Sequence, residues 1–456
     1  MDSAHIGRGR SLPSGLVGLA SIGATLECGQ CSQFVLHAAR YCLERKIMRK
    51  KSPFICGGPV PPTYFIGREE QTDALMGQLT GPARGGSAIY GERRVGKTSL
   101  LHYLMSDQVA EEWGVPTESW HFVLLDCQQI DKPGQFWPHV FKYIADIDLG
   151  EELDAQARSL SKNKMVEEAA LARFFDRVAR QKRFIVLLLD EFECITEQLD
   201  PKNPEVLYQL RQLLNRQQRG LAIVTASRES VDLLCRDIDF KGSPFYNNLL
   251  SVQLPSFMDS EIKDLLALAD PPFSESEAAY IARIGGRHPL LLQLAADATH
   301  RHRARLKADR PLDFAAIGRA YERRARQHYR DLWRDTHPKD QILLALVALR
   351  SFHQREGGRG YEVQAIETLL TRSGRALRTL AERGFVTDDV FPRLLSSVGE
   401  WWLIEEIAGW AEIAEEWKSF LLPSELSQLE AAIRAARVNQ RGLRNLASWA
   451  VRPESK

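Results

Sequence analysis

The chain has 456 residues, 44% of them apolar and 26% charged, with a formal net charge of +1. That length accommodates about two to four domains, the composition suits a globular protein with a full core, and the near-neutral balance excludes a global electrostatic pull toward nucleic acid or anionic membrane. No apolar run reaches the roughly 20 residues that a bilayer span requires.

Near the N-terminus, "SGLVGLASIGATLECGQC" follows "RGR" and faintly resembles a secretory signal, but Gly, Ser, Thr and then Glu27 interrupt it. The seven cysteines are odd in number and scattered, which suits a reducing compartment, so a cytoplasmic location is expected. Cys28, Cys31, His37 and Cys42 only partly fit a zinc knuckle, because structural sites usually have two close pairs. Met48 opens a start-like stretch, and residues 1–53 read as an N-terminal extension, poorly ordered or, up to residue 47, not translated.

After the Pro-rich "PVPPTY" the chain alternates short apolar runs with helical segments, the pattern of a three-layer α/β domain. The expected strands are 87–90, 122–127, 184–190, 221–226 and 249–254; the third is apolar without alternation, as a strand covered on both faces should be. Helices are expected over 97–107, 165–181 and 205–220, the last with Gly220 as its C-cap. Beyond Pro255 the pattern turns helical, through 260–270 and 274–302. Near His337 three short helices begin, over 339–349, 362–370 and 373–385, and "VFPRLLSSVGEWWLIEE" (390–406) reads as a β-hairpin, which together make a winged helix. A final helical segment carries Leu426, Leu429 and Ile433 at helical spacing and is expected to pack on the preceding domain or to bind a partner.

The chemistry starts at "GERRVGKTSL" (91–100), which fits G-x-x-x-x-G-K-[ST] between a short strand and an amphipathic helix. Gly91 and Gly96 let the backbone curl so that its N–H groups face phosphates, and the helix beginning near Lys97 adds its positive end. Lys97 is a mobile cation for the β- and γ-phosphates, the Thr98 hydroxyl can ligate Mg²⁺, and Val95 and Ser99 belong to the same nucleotide contact set. Asp190, at the end of the third strand, supplies the carboxylate for the metal shell, and Glu191 can polarise an attacking water. The strand 221–226 leads to Arg228, the first choice for a group that senses the γ-phosphate, with Thr225 second. An α/β P-loop NTPase core over 54–255 is therefore expected, followed by a helical lid (256–335), a winged-helix domain (336–410) and C-terminal helices (411–456). ATP and Mg²⁺ are its expected cofactors.

"FIGREE" (65–70), the P-loop, "LLLDEFE", "TASR" and "GGRHPLLLQ" (285–293) come in an order that resembles STAND-class ATPases and their origin-recognition-like relatives among the AAA-related ATPases. The likeness covers roughly residues 54 to 300. It implies that Phe65, Ile66, Gly67 and Arg68 help shape an adenine site, although Gln71 stands where the family box ends in Glu. It also implies that His288 and Pro289 contact nucleotide from the lid. No arginine finger is assigned; Arg93 and Arg94 are expected to face solvent or a neighbouring subunit.

Three functions fit this reading. The resemblance implies a regulatory switch, often in signalling or defence, in which nucleotide state positions the lid and winged helix and engages a protein partner or a second copy. A DNA-binding, initiator-like ATPase would use the winged helix, and a plain ATPase subunit would serve a separate effector. A DNA-reading helix needs a basic outer face, for which Arg372, Arg375 and Arg378 are the candidates, interrupted by Glu382. The acidic "EEIAGWAEIAEEW" (405–417) would repel a duplex, so DNA is a less favoured partner, and no membrane partner is expected.

Overall fold

The computed structural model describes residues 52–438 apart from 83, 217–219, 307–309, 356–362 and 411. Cys28, Cys31, His37, Cys42 and Met48 lie outside the described residues. Five strands, β1 (Gly86–Tyr90), β2 (Trp120–Asp126), β3 (Phe184–Asp190), β4 (Leu221–Ser227) and β5 (Leu249–Gln253), form one sheet in the order β2-β3-β4-β1-β5. Every neighbouring pair is parallel.

Parallel strands need crossovers, and here helices cover both faces of the sheet. Strand β3 is buried along its whole length. Ile185, Leu187 and Leu189 enter one apolar cluster, while Phe184, Val186 and Leu188 enter the cluster on the opposite face. That two-sided burial explains the absence of polar alternation in its sequence. Helices α1 (Glu69–Thr80) and α2 (Lys97–Leu104) serve the second face. The first face is covered by α3 (Phe136–Ile144), α4 (Glu151–Leu160), α5 (Glu168–Arg180), the short α6 (Glu193–Thr196) and α7 (Glu205–Leu214). In α5, Leu171, Phe174, Phe175 and Val178 recur at helical spacing, and all four are buried.

Helix α7 stops at Leu214 with Asn215 as its C-cap, six residues short of Gly220. Gly220 is not a cap; it is buried where the chain enters β4, and an added Cβ would lie 2.4 Å from the Phe175 carbonyl oxygen of α5. The glycine serves a close approach of backbones.

The second half is helical: α8 (Asp259–Ala267), α9 (Glu275–Gly285), α10 (Pro289–Arg305), α11 (Phe314–Arg334), α12 (Pro338–Arg355), α13 (Gln364–Arg372), α14 (Gly374–Glu382), α15 (Ser397–Gly409) and α16 (Pro423–Val438). Ser274 caps α9 reciprocally with Glu277, as the spacing S-x-x-E allows. One apolar cluster runs from Phe54 through α8–α12 to Ala436 of α16, with Leu429 and Ile433 inside it. Tyr329 of α11 links three elements, its hydroxyl 2.7 Å from that of Tyr321 and 2.9 Å from Ser396 Oγ. Ser396 in turn donates to the Ile284 carbonyl of α9 at 2.5 Å.

The three short helices expected after His337 are present, but the hairpin over 390–406 is not. Residues 397–409 form α15, capped by Ser396, which accepts a hydrogen bond from the Gly399 amide. Antiparallel pairing is confined to 385–395, where Val386 and Leu394 form a single bridge. The aromatic run misled because α15 is surrounded by core, with Trp401, Trp402 and Ile404 all buried. A helix buried around most of its circumference shows little helical period.

Replacing Gly220 with Ala should lower stability by about 1–3 kcal/mol through overpacking against α5, read from the midpoint of chemical denaturation. Asn, which a left-handed C-cap would accept, should do at least as much damage.

Candidate nucleotide-binding site

The register of β1, β3 and β4 brings Tyr90, Asp190 and Ser227 to one edge of the sheet, the carboxyl-terminal edge where open α/β sheets bind ligands. From β1 the chain curls through residues 91–96 into α2. Gly96 is the N-cap of α2 with φ 111°, a left-handed conformation that a side chain would strain. The helix thus begins at Lys97 with its free N–H groups at the loop.

Lys97 is buried, and its Nζ donates to the Gly91 carbonyl at 2.9 Å and the Glu92 carbonyl at 3.1 Å. Burial pulls the ammonium pKa down, opposed by surrounding acids, Glu191 foremost. Thr98 Oγ1 donates to Asp190 Oδ2 at 2.6 Å, so two hard oxygen ligands from separate elements meet at one point. That donor set suits Mg²⁺, which favours few protein oxygens alongside substrate phosphates. Asp190 also accepts from the Glu191 amide at 3.0 Å, and burial raises its pKa. Glu191 stands at φ 50°, and burial followed by the neighbouring Glu193 pushes its pKa up.

The residues before the loop wrap the same place. Ser99 Oγ accepts from the Val60 amide at 3.0 Å. Phe65 stacks on Tyr103 of α2 with ring centroids 4.4 Å apart, and Ile66 is half-buried beside it in sequence. Gly67 has φ 64°, and a Cβ there would sit 2.3 Å from Glu261 Oε1 of α8. The Arg68 amide donates to that oxygen at 2.9 Å. The Arg68 guanidinium is buried over the Phe257 ring and reaches the Val95 carbonyl at 3.4 Å. Burial lowers its pKa to about 10, with Glu261 opposing. The box therefore ties the P-loop to the first helix after the sheet.

Of the remaining expected residues, His288 is buried at the N-cap of α10, with Pro289 at the first helical position. Its Nε2 lies 3.0 Å from the Arg93 carbonyl, which can only accept, so that nitrogen carries the proton. Burial lowers the imidazole to about 4, keeping it neutral. Thr225 is fully buried between Ala88 and Leu189. Arg228 does not point freely across the edge: its Nε donates to the buried Glu193 at 2.6 Å, and Glu197 lies 3.6 Å away.

Several residues at the site were not foreseen. Glu92, inside the P-loop, pairs with Arg383 at 2.6 Å, and Arg383 also pairs with Asp340 at 2.6 Å. Arg93, expected to face solvent or a neighbouring subunit, is partly exposed and pairs with Asp335 at 3.5 Å. A cleft of 590 Å³ opens between these residues, with Glu193 and Arg228 on its wall. No motif marks Arg383, the C-cap of α14; Glu193 could have been found as the third acid of "DEFE".

Residues 64–224 match the family model described as AAA ATPase domain. Among solved structures, the Walker-type ATPase of Pyrococcus abyssi is similar with a TM-score of 0.51 at 15% identity, over 77% of this chain and 99% of that one. The Aeropyrum pernix ORC2 protein in ADPNP–ADP complexes gives a TM-score of 0.49 at 12% identity, over 84% of this chain and 98% of that one. Only the first is near enough to bear on the argument, and it speaks for the fold alone. No curated protein matches the sequence significantly. Residues 64–224 are thus similar to an AAA ATPase domain, within an α/β fold of the P-loop NTPase kind.

Proposed function

We propose that this protein is an ATP-hydrolysing regulatory switch of the STAND-like kind, in which nucleotide at the P-loop sets the position of the helical half. The observation that carries the ATPase reading is the meeting of Thr98 with Asp190, beside Lys97 and Glu191. Bound Mg²⁺, held by Thr98 and Asp190, would neutralise phosphate charge. Lys97 exchanges its carbonyl partners for phosphate oxygens. Glu191 orients the attacking water and accepts its proton. Arg228 reports the γ-phosphate once it leaves Glu193.

The switch reading is supported by three contacts on consecutive P-loop residues, all from the helical half: Arg383 on Glu92, Asp335 on Arg93, and His288 on the Arg93 carbonyl. A ligand shifts a two-state equilibrium only by its differential affinity. A phosphate-binding loop held at these points feels ATP and ADP differently and passes the difference on.

Lys97→Ala should abolish ATP binding in calorimetry, while Glu191→Gln should keep binding and lower turnover by about 100-fold or more. Unchanged turnover in Glu191→Gln would remove that residue from the mechanism.

Because burial and Glu193 raise the Glu191 pKa, the carboxylate is lost as pH falls while still above the ordinary glutamate value of about 4.3. The acid limb of turnover should lie above that value, and Glu193→Gln should move it to lower pH. A limb that stays in place would assign it to another group.

Arg383→Gln should release one of the three contacts. Hydrogen exchange in residues 91–96 should then rise with ADP bound and differ less between ADP and a non-hydrolysable ATP analogue. Identical exchange with both nucleotides in the unaltered protein would leave an ATPase without a switch.

A further inference from the structure

Helix α11 carries six arginines against Glu322 and Asp331, a net of +4 on 21 residues of a chain whose whole balance is +1. Their spacing sorts them by face. Arg319, Arg323, Arg326, Arg330 and Arg334 follow one another at steps of four, three, four and four, which confines them to a narrow stripe about 22 Å long. The stripe lies opposite the buried face made by Ile317, Tyr321, Ala325, Tyr329 and Leu332. Arg326 is tied to Glu322 and Glu405, and Arg334 to Asp331 and Asp335. Arg319, Arg323 and Arg330 are exposed and make no ion pair among the described residues.

Such a line of like charge costs stability unless something answers it. We infer that the α11 stripe is a docking surface for the phosphate backbone of a nucleic-acid duplex, engaged without regard to sequence. Charge complementarity is the argument. Guanidinium forks bind phosphate oxygens in pairs, and a duplex presents about one charge per 1.7 Å of its axis, so a straight stripe of this length meets phosphates throughout. A lipid surface fits less well, since an interfacial helix inserts an apolar face, whereas the apolar face of α11 is spent in the core. The helix first suspected of meeting DNA is the poorer candidate. Of its three expected arginines, Arg372 ends the preceding helix α13 and is bound to Glu425 of α16 at 3.0 Å.

The test uses the full chain and a short mixed-sequence DNA duplex, with affinity followed by fluorescence anisotropy from about 50 to 200 mM salt. Replacing Arg319, Arg323 and Arg330 together with Gln should flatten the slope of log affinity against log salt by about 3, with an unfolding midpoint no lower than that of the unaltered chain. Replacing Arg375 and Arg378 with Gln should leave the slope as it was. No binding by the unaltered chain at low salt, a triple variant that binds as before, or equal binding to phosphatidylserine vesicles in place of duplex would each overturn the proposal. ATP turnover measured on the same samples keeps this outcome separate from the fate of the ATPase reading, because none of these arginines touches the P-loop.

Discussion

The whole reactive edge depends on β3 being a parallel strand with no solvent face. Its six apolar residues divide between two clusters, and fully burying each such side chain is worth about 1.5–3 kcal/mol. A one-residue slip would exchange the two sets between layers packed for different side chains, a mismatch that close-packed cores resist. That penalty fixes the register with β4 and, through β4, with β1. Asp190 is thereby delivered to Thr98 within hydrogen-bonding distance, although 92 residues separate them in the chain.

Around that point the protein buries charge and compensates it locally. Lys97 rests on carbonyl oxygens, Arg68 on Glu261 and a phenyl face, and Arg228 on Glu193. Breaking a buried pair by removing one partner leaves an uncompensated charge, so these residues are structural as well as chemical. Arg228 is the clearest case: Glu193 is 1% exposed, and its other oxygen has no hydrogen-bond partner. Any anion that draws Arg228 away must leave the buried Glu193 without its ion-pair partner. Arg228 is therefore held in place by a definite opposing force.

Much of this was legible beforehand, and for identifiable reasons. All five strands lie where their apolar runs and terminators put them, and β3 and β4, buried along their whole length, leave the strongest signal. The P-loop and acid pair were legible because phosphate chemistry restricts both residue type and spacing. What failed was local. The "SSVGEWWLIEE" stretch forms a helix buried around most of its circumference, Glu400 included, so it had little period to read, and its aromatic content favoured strands. Gly220 looked like a cap because it followed a helical run, while its real constraint, the α5 backbone, is distant in sequence. Arg383 and Asp335 were out of reach because ion pairs across more than 200 residues carry no short-range signature.

The relay from Tyr321 through Tyr329 and Ser396 to Ile284 has a mechanical meaning. It stitches α9, α11 and the segment before α15 into one block, and the continuous apolar cluster from Phe54 to Ala436 gives that block a single interior. Such a block does not bend near residue 336, where the chain merely passes from α11 to α12. Two covalent strands join it to the sheet: the strap between Phe54 and Val60, and the exit from β5 between Leu254 and Met258. In the proposed switch these two connections are the covalent hinges about which the helical half would turn. For that turn the contacts of Arg383, Asp335 and His288 with residues 92 and 93 would have to open, so they act as its bolt.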